Sequence, residues 1–521
     1  MKVILSGFNL DIETIRELKG FIRRVVDLLD ESNMQERDTS TRDMQLKTLY
    51  REALDLLRRD NLTPETLSAA YARISRNPRP VNELREIARQ EVDKARKSNQ
   101  NIIFGLGHSS VAEHAAFNFD ILGVSRYAVE IIEHFRLASY TEKSQRYILF
   151  KDDFIVPPEI QNTDLEEDYV HIIKEQNKTY YALYEMLRPY FFKKYSKLAK
   201  DSKNHKLLEG LAKEDARYII SLATQTQLGM TVNARTLENM ISKCNSHPLK
   251  EIQNYGNQLY ECTRSYTPSI VKYVAPTTYL TEKNTDISAF TQKTFGKQNN
   301  QGHGEDSVVR LIDYPPNADE QILAVVLFKQ GNLNLKQAQK VVSELSENQK
   351  TEFYKIIFHH INPWDSVLRE FEFVSFTFEM IVSASNFGQL KRHRIANVVT
   401  QNYDISLGVT VPDSIMETKQ NSVFMEMIEK SQTFYEQLRD KKPLVAPYIL
   451  TNAHRRRVLF KINLRELYHF SRLREDQHAQ WDIRNIASQM VTQVKEKLFL
   501  SAALLAGKDR FNEAYEHFMR K

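Results

Sequence analysis

The chain states one plan twice, and this constrains its fold more than any other feature. Met1 to Asn9 and Ser307 to Asn317 each read as a short apolar strand followed by a turn. Glu65 to Arg76 and Glu320 to Gln330 read as apolar helices. Glu113 to Phe119 and Glu372 to Phe378 share phenylalanines two apart in a strand-like run. Val232 to Leu237 matches Ile462 to Leu467, and both halves finish with amphipathic helices. In the last of these, Ile483, Ile486, Met490 and Val494 keep the helical period. Thr294 to Asp306, rich in Gly, Asn and Gln, reads as a linker. The first half carries an extra helical stretch at about 11–62, after which Thr63-Pro64-Glu65 restarts a helix with a cap residue, a proline and an acid. The expectation is a tandem duplication: a first module at 1–293 with a helical insertion, a linker at 294–306, and a second module at 307–521.

Charge and cysteine content narrow the function classes. Lys and Arg number 72 against 67 Asp and Glu, a net charge of +5 over 521 residues, which argues against a nucleic-acid partner. The only cysteines, Cys244 and Cys262, cannot build a disulfide framework or a multi-cysteine zinc site, so a reducing compartment is expected. The longest apolar stretch, near Leu498 to Ala506, is too short to cross a bilayer. Met1 to Ser6 lacks a long apolar leader, and a cytoplasmic location is expected.

Two polar stretches stand out. In the first half, His134 to Tyr147 follows a helical pattern that Ser139 or Thr141 would break. If the chain is then extended, Glu142, Ser144 and Arg146 point the same way, a grouping suited to a phosphorylated ligand. On spacing alone, a surface loop with an incidental Glu–Arg pair is the favoured reading. In the second half, Gln389, Arg392 and His393 share one helix face. A bound anion would pair with them; a solvated basic face is the alternative.

Together these stretches resemble the signature of the flavin-dependent thymidylate synthases (the ThyX family): Arg-His-Arg, two residues, Ser, one residue, Asn-Glu, one residue, Ser, one residue, Arg-Tyr. The neighbouring segments agree. Gly107 to His114 resembles the family's upstream segment, and Gly123 to Arg126 its next one. Asn233-Ala234-Arg235 and Asn463-Leu464-Arg465 resemble its later Asn-Ala-Arg, and Leu473-Arg474 with Ala479 to Arg484 its closing helix. The halves depart from the family in opposite ways. The first keeps Ser139, Glu142, Ser144, Arg146 and Tyr147 but of Arg-His-Arg only Arg136; Ile131, His134 and Phe135 replace the rest. The second keeps Gln389, Arg392, His393, Arg394 and Arg474 but loses the Glu-Ser-Arg within Thr400 to Asp404, and its Pro447 stands opposite Arg217.

The resemblance implies an α+β fold, each module a mostly antiparallel sheet with flanking helices, and composite sites to which the halves contribute complementary residues. It implies reductive methylation of dUMP to dTMP, with methylenetetrahydrofolate, NADPH and FAD, in a homodimer of the double-length chain. Arg474 would be catalytic, against the uracil carbonyls. Glu142, Ser144, Gln145, Arg146, Arg217, Gln389, Arg392 and Arg474 would bind substrate. His108, Ser110, Arg136, Glu142, Arg392, His393, Arg394, Ile395, Asn463, Arg465 and His469 would bind the flavin. Asn463 also reads as a helix cap, and His469 replaces a family Asn.

No protein nucleophile or metal is needed on this reading. Cys262 reads as core filler beside Leu259 and Ile252, whereas Cys244 lies in a polar segment. His454 to Arg457 reads as a solvated charge run, with folate glutamates or nucleic acid as the functional alternative, and His359-His360 lacks a metal pattern. The rival functions are a non-catalytic paralogue that binds flavin or nucleotide and regulates a partner, and a helical nucleic-acid binder.

Overall fold

A computed structural model describes residues 1–30, 39–58, 60–146, 148–149, 152–295 and 308–520. The linker expected at 294–306 lies, from residue 296 onward, outside the described residues, as does Tyr147. The duplicated pattern folds into two sheets of the same topology. Strands β1 (Lys2–Phe8), β2 (Ala116–Ser125), β3 (Ala138–Glu142) and β4 (Gln225–Asn233) pair in the order β1-β2-β4-β3. Strands β5 (Val309–Asp313), β6 (Ser375–Ser383), β7 (Asn397–Tyr403) and β8 (Arg455–Asn463) pair as β5-β6-β8-β7. Every pairing is antiparallel, and helices flank both sheets, as the α+β expectation required. The alternating phenylalanines explain the central strands. Phe117, Phe119 and Ile121 of β2, and Phe376, Phe378 and Met380 of β6, are buried on one face while their neighbours face outward.

By contact density the chain forms two compact units that do not follow its halves. The first holds Met1–Lys143, Ile155–Gln161 and Gln225–Lys297. The second holds Ser144–Phe154, Asn162–Thr224 and Gln298–Lys521, so it combines a portion of the first half with the whole second sheet.

In the first unit, Ile12–Leu29 and Thr39–Arg58 are helices. The helix restarts and runs Glu65–Arg73, with Pro64 at the cap position and no side-chain cap bond there; one residue further out, the Thr63 hydroxyl accepts from the Glu65 backbone N–H at 3.2 Å. Helices Ala234–Asn245 and Lys250–Thr263 pack closely. At Gly256 an added Cβ would lie 2.8 Å from the Cys244 Cβ and 3.2 Å from the Asn245 backbone nitrogen. This inverts the expected cysteine roles. Cys244 is the buried one, its thiol pushed up to about 12 by burial, while Cys262 is partly exposed and reaches the Val3 carbonyl at 3.4 Å. Cys244 lies in a polar run, but it is one turn from Met240 and Ile241 on the buried face of its helix. Gly256→Ala should lower stability by roughly 1–3 kcal/mol through overpacking. Urea denaturation of the full chain checks this, and an unchanged midpoint would refute the close crossing.

In the second unit, the long helices Glu166–Lys194 and Asn421–Lys441 bury Tyr180, Leu183 and Leu187 with Phe424, Met427 and Ile428. Equivalent segments of the two repeats then clasp. Tyr218 and Ile220 carbonyls accept from Ala453 N–H (2.9 Å) and Asn452 N–H (3.0 Å). Reciprocally, Leu450 and Tyr448 carbonyls accept from Leu222 N–H (2.8 Å) and Ala223 N–H (2.9 Å). Ser221 and Thr451 pair at the centre. Below the second sheet, helix Trp481–Lys495 adds Ile483, Ile486, Met490 and Val494 to a core containing Phe376, Phe378 and Phe460.

Candidate active site

The clasp positions a cluster of guanidiniums within the second unit. Arg217 follows helix His205–Ala216, is buried, and donates from Nη2 to Ser385 Oγ at 2.9 Å. Its carbonyl accepts from Asn452 Nδ2 at 2.9 Å, and the same amide reaches Gln145 Oε1 at 3.2 Å. Arg146, in the turn after Ser144, pairs with Glu214 and donates to the His478 carbonyl at 3.4 Å. The Ser144 hydroxyl accepts the Arg146 backbone N–H at 3.2 Å. Residues 144–146 of the first half thus fold with the second half, beside the segment carrying Arg474.

Helix Ala384–Leu390 is capped by Ser383, whose hydroxyl accepts from Asn386 N–H at 3.0 Å. It carries Gln389, which is buried and bonds Gln480 Oε1 at 3.2 Å. The helix ends in the turn bearing Arg392, His393, Arg394 and Ile395. Arg392 donates to the Gly388 carbonyl at 3.2 Å and is exposed, as are Arg394 and Ile395. Arg474 ends helix Leu464–Arg474; it donates from Nε to His393 Nε2 at 3.0 Å and from Nη2 toward the Gln389 carbonyl at 3.5 Å. Among the described residues Arg474 has no carboxylate partner. Burial pushes its guanidinium down to about 10, helped by the charges of Arg392 and Arg146. Arg474, a buried cation beside Arg392 and Arg146 and without an acid of its own among the described residues, suits an anion.

A buried polar network braces this cluster. Asp482 accepts from Tyr218 (2.9 Å), Ser383 (2.6 Å) and Asn386 (2.9 Å), and Gln480 links Tyr218 to Gln389. Sequence reasoning gave neither Asp482 nor Gln480 a role, although Gln480-Trp481-Asp482 opens a helix and so signals capping.

The sequence expectations divide. Ser144, Gln145, Arg146, Arg217, Gln389, Arg392, His393, Arg394, Ile395, Asn463, Arg465, His469 and Arg474 fall in the second unit. His108, Ser110, Arg136 and Glu142 fall in the first. The extended edge that would align Glu142, Ser144 and Arg146 does not form, in keeping with the loop favoured on spacing alone, although Glu142 and Arg146 pair with other residues and not with each other. Strand β3 stops at Glu142, whose carboxylate is drawn to the buried Arg126 guanidinium and accepts from Thr226 at 3.3 Å; the chain then turns. Asn463 caps its helix, accepting from Glu466 N–H at 2.8 Å, while Arg465 pairs with Glu372 at 2.9 Å. The basic run at 454–457 is not a solvated face. His454 is buried, Arg455 bonds Thr410, Arg456 lies 4.5 Å over the Tyr403 ring, and Arg457 pairs with Glu379. Strand alternation hides what each arginine meets across the sheet. His359 and His360 are exposed.

His393 Nδ1 faces Glu466 Oε1 at 3.4 Å, and His393, Glu466 and His469 bring ligand-type atoms within 4.8 Å of one another. This could hold a metal by distance alone. However, arginine only donates, so His393 Nε2 must accept and Nδ1 must carry the proton. The neutral ring then offers a metal no lone pair. Burial, with the charges of Arg474, His469 and Arg392, holds His393 well below the usual histidine range and hence neutral.

The family description "Thymidylate synthase complementing protein" (Thy1) matches residues 56–269 and 310–498. The chain belongs to the Thy1 family. The match falls once on each repeat, so this Thy1 chain carries the family unit twice. A flavin-dependent thymidylate synthase of Clostridium tetani is 30% identical over 217 residues, 41% of this chain and 83% of that relative. A UPF0159 protein of Thermoplasma acidophilum is 24% identical over 469 residues, 82% of this chain and 92% of that relative, so double length is shared. A flavin-dependent thymidylate synthase ThyX from Helicobacter pylori, solved with FAD and dUMP, aligns over 53% of this chain and all of that one at 16% identity, with a TM-score of 0.29. No helix among the described residues is long and apolar enough to cross a membrane.

Beside the Thy1 cluster, Asp215 accepts from Ser414 Oγ at 2.5 Å and Trp481 Nε1 at 2.8 Å. Burial lifts its carboxyl from 3.8 to about 6. A raised acid stabilises the fold while protonated, and that stability is lost as pH rises through about 6. The loss is about 3 kcal/mol between pH ~4 and ~7. Asp215→Asn, neutral throughout, should therefore gain stability relative to wild type across that window. Urea midpoints at stepped pH test this; a pH-independent difference would refute it.

Proposed function

We propose that the second unit catalyses FAD-dependent reductive methylation of dUMP to dTMP, taking the one-carbon unit from methylenetetrahydrofolate and reducing equivalents from NADPH. The observation that carries this reading is the gathering of Arg146 and Arg217, from one repeat, with Gln389, Arg392 and Arg474, from the other, inside one compact unit. Arg146, Ser144, Gln145 and Arg217 hold the nucleotide phosphate, with Gln389 and Arg392 closing from the other repeat. Guanidinium forks match phosphate oxygens. Arg474, carrying no carboxylate partner among the described residues, meets the uracil carbonyls, where negative charge grows as the ring is activated. A fixed cation in a dry site stabilises that charge without reorganising.

The residues on the exposed side fit a flavin: Arg392, Arg394 and His469 supply donors suited to a pyrophosphate, and Ile395, 65% exposed, supplies an apolar surface for a ring. Asn463 and Arg465 fit it less directly, since the fold already uses both as a cap and an ion pair. A flavin held there would supply the reducing equivalents that the methyl transfer requires.

The test is purification of the full chain, inspection for a flavin spectrum, and tritium release from 5-tritiated dUMP with methylenetetrahydrofolate and NADPH. Release that requires all components supports the proposal. A yellow protein that binds dUMP and releases no tritium would instead be a non-catalytic binder.

A further inference from the structure

One chain of contacts runs through the cluster and ends on Arg474. Glu466 Oε1 lies 3.4 Å from His393 Nδ1, and His393 Nε2 accepts the Arg474 Nε–H at 3.0 Å. His393 is 4% exposed and packs edge-on to Phe470, ring centroids 4.7 Å apart, so the imidazole has little freedom to turn. An imidazole left to itself exchanges between two tautomers, and only the Nδ1–H form can accept from Arg474. A carboxylate at Nδ1 selects that form, as a buried acid does for the histidine of a hydrolase triad.

We propose that Glu466 and His393 are positioning residues for Arg474: Glu466 holds the proton on His393 Nδ1, and the Nε2 lone pair this leaves fixes the direction of the Arg474 guanidinium. The charges facing His393 are Arg474, Arg392, His469 and Glu466. Glu466 is the acid that the structure places at Nδ1, so removing it takes away the carboxylate that holds the Nδ1 proton. The consequence for turnover rests on the proposed thymidylate synthase reading. The consequence for the tautomer does not.

The test uses the full chain labelled with imidazole-15N histidine. Two-bond proton–nitrogen correlation spectra are taken of the wild type and of Glu466→Ala, Glu466→Gln and His393→Asn, the last to identify the His393 signals. Glu466→Ala leaves the helix cap in place, because Asn463 bonds the backbone N–H of residue 466, not its side chain. Wild-type His393 should be neutral with its proton on Nδ1. Glu466→Gln keeps an oxygen acceptor and should retain that form; Glu466→Ala should lose it. In tritium release, Glu466→Ala should lower kcat on the order of 10- to 100-fold while Glu466→Gln restores most of it.

A wild-type His393 protonated on Nε2 overturns the proposal. So does a Glu466→Ala protein with unchanged tautomer, or with unchanged turnover where the wild type is active. Zinc added to the wild type serves as a further probe: a one-to-one complex shifting His393 and His469 together would assign these side chains to a metal instead. If the wild type releases no tritium, the functional reading fails, and the spectra alone then decide the hydrogen-bond chain.

Discussion

Arg474→Ala is expected to abolish tritium release, with kcat lowered by roughly 10²- to 10³-fold, the typical consequence of deleting one preorganised donor at a developing oxyanion. The expectation comes from the absence of an acid partner. A guanidinium paired with a carboxylate stabilises the fold and little else, whereas among the described residues Arg474 donates to His393 Nε2 and the Gln389 carbonyl and is pushed down to about 10 by burial and its cationic neighbours. Removing it should relieve repulsion, so the variant should be no less stable than the wild type. Arg146→Ala, from the other repeat, should also stop turnover, acting mainly through dUMP affinity. Its loss leaves the buried Glu214 carboxylate without that partner, so some stability is lost as well. Combining the two changes should add less than the sum of their separate effects if both serve one pocket. Cys244→Ala should keep its turnover per folded molecule, because a buried thiol held near 12 offers no thiolate. Steady-state rates and dUMP binding on the set distinguish these outcomes. An Arg474→Ala enzyme with wild-type rate would remove the site from this part of the molecule.

Asp482→Ala should be among the most destabilising single changes, by about 3–5 kcal/mol. The carboxylate is buried and gathers donors from Tyr218, Ser383 and Asn386. Deleting it leaves three buried donors without their acceptor, and Tyr218 also stacks on Trp481 at 5.5 Å. Because Gln480 ties the same tyrosine to Gln389, the substrate end of the cluster should loosen too. Thermal and urea unfolding would show the loss; a change below about 1 kcal/mol would mean the network is relaxed enough to re-pair.

The repeat, the paired phenylalanines and the closing helices were legible in the sequence because each depends on local period: Phe117 and Phe119, or Ile483 through Val494, carry their burial pattern in their spacing. The Arg392-His393-Arg394 motif was legible, but the single helix face expected to carry Gln389, Arg392 and His393 is not formed: the helix stops at Leu390, and the chain turns so that Arg392 is exposed while Gln389 and His393 are buried. Other features depend on partners far along the chain and left no local trace. Spacing offered Arg146 as an incidental partner for Glu142, and the resemblance offered a ligand, yet Arg126, on a preceding helix, claims it. The run at 454–457 looked solvated, but β8 is the inner neighbour of β7, so Arg456 lands on Tyr403. Glu466 passed as an ordinary helical acid, since what distinguishes it is an imidazole 73 positions away.

The reciprocal strand contact around Ser221 and Thr451 has an evolutionary consequence. In an assembly of identical chains, any substitution at such a contact strikes both sides at once. Covalent fusion frees each side to drift separately, which is how one repeat can carry an arginine at 217 where the other carries a proline at the equivalent position, 447. Fusion also fixes the local concentration of one repeat for the other, so this pairing should survive dilution that would separate unlinked partners. A gene of this layout is therefore protected against loss of symmetry, and can specialise its halves without losing the junction that joins them.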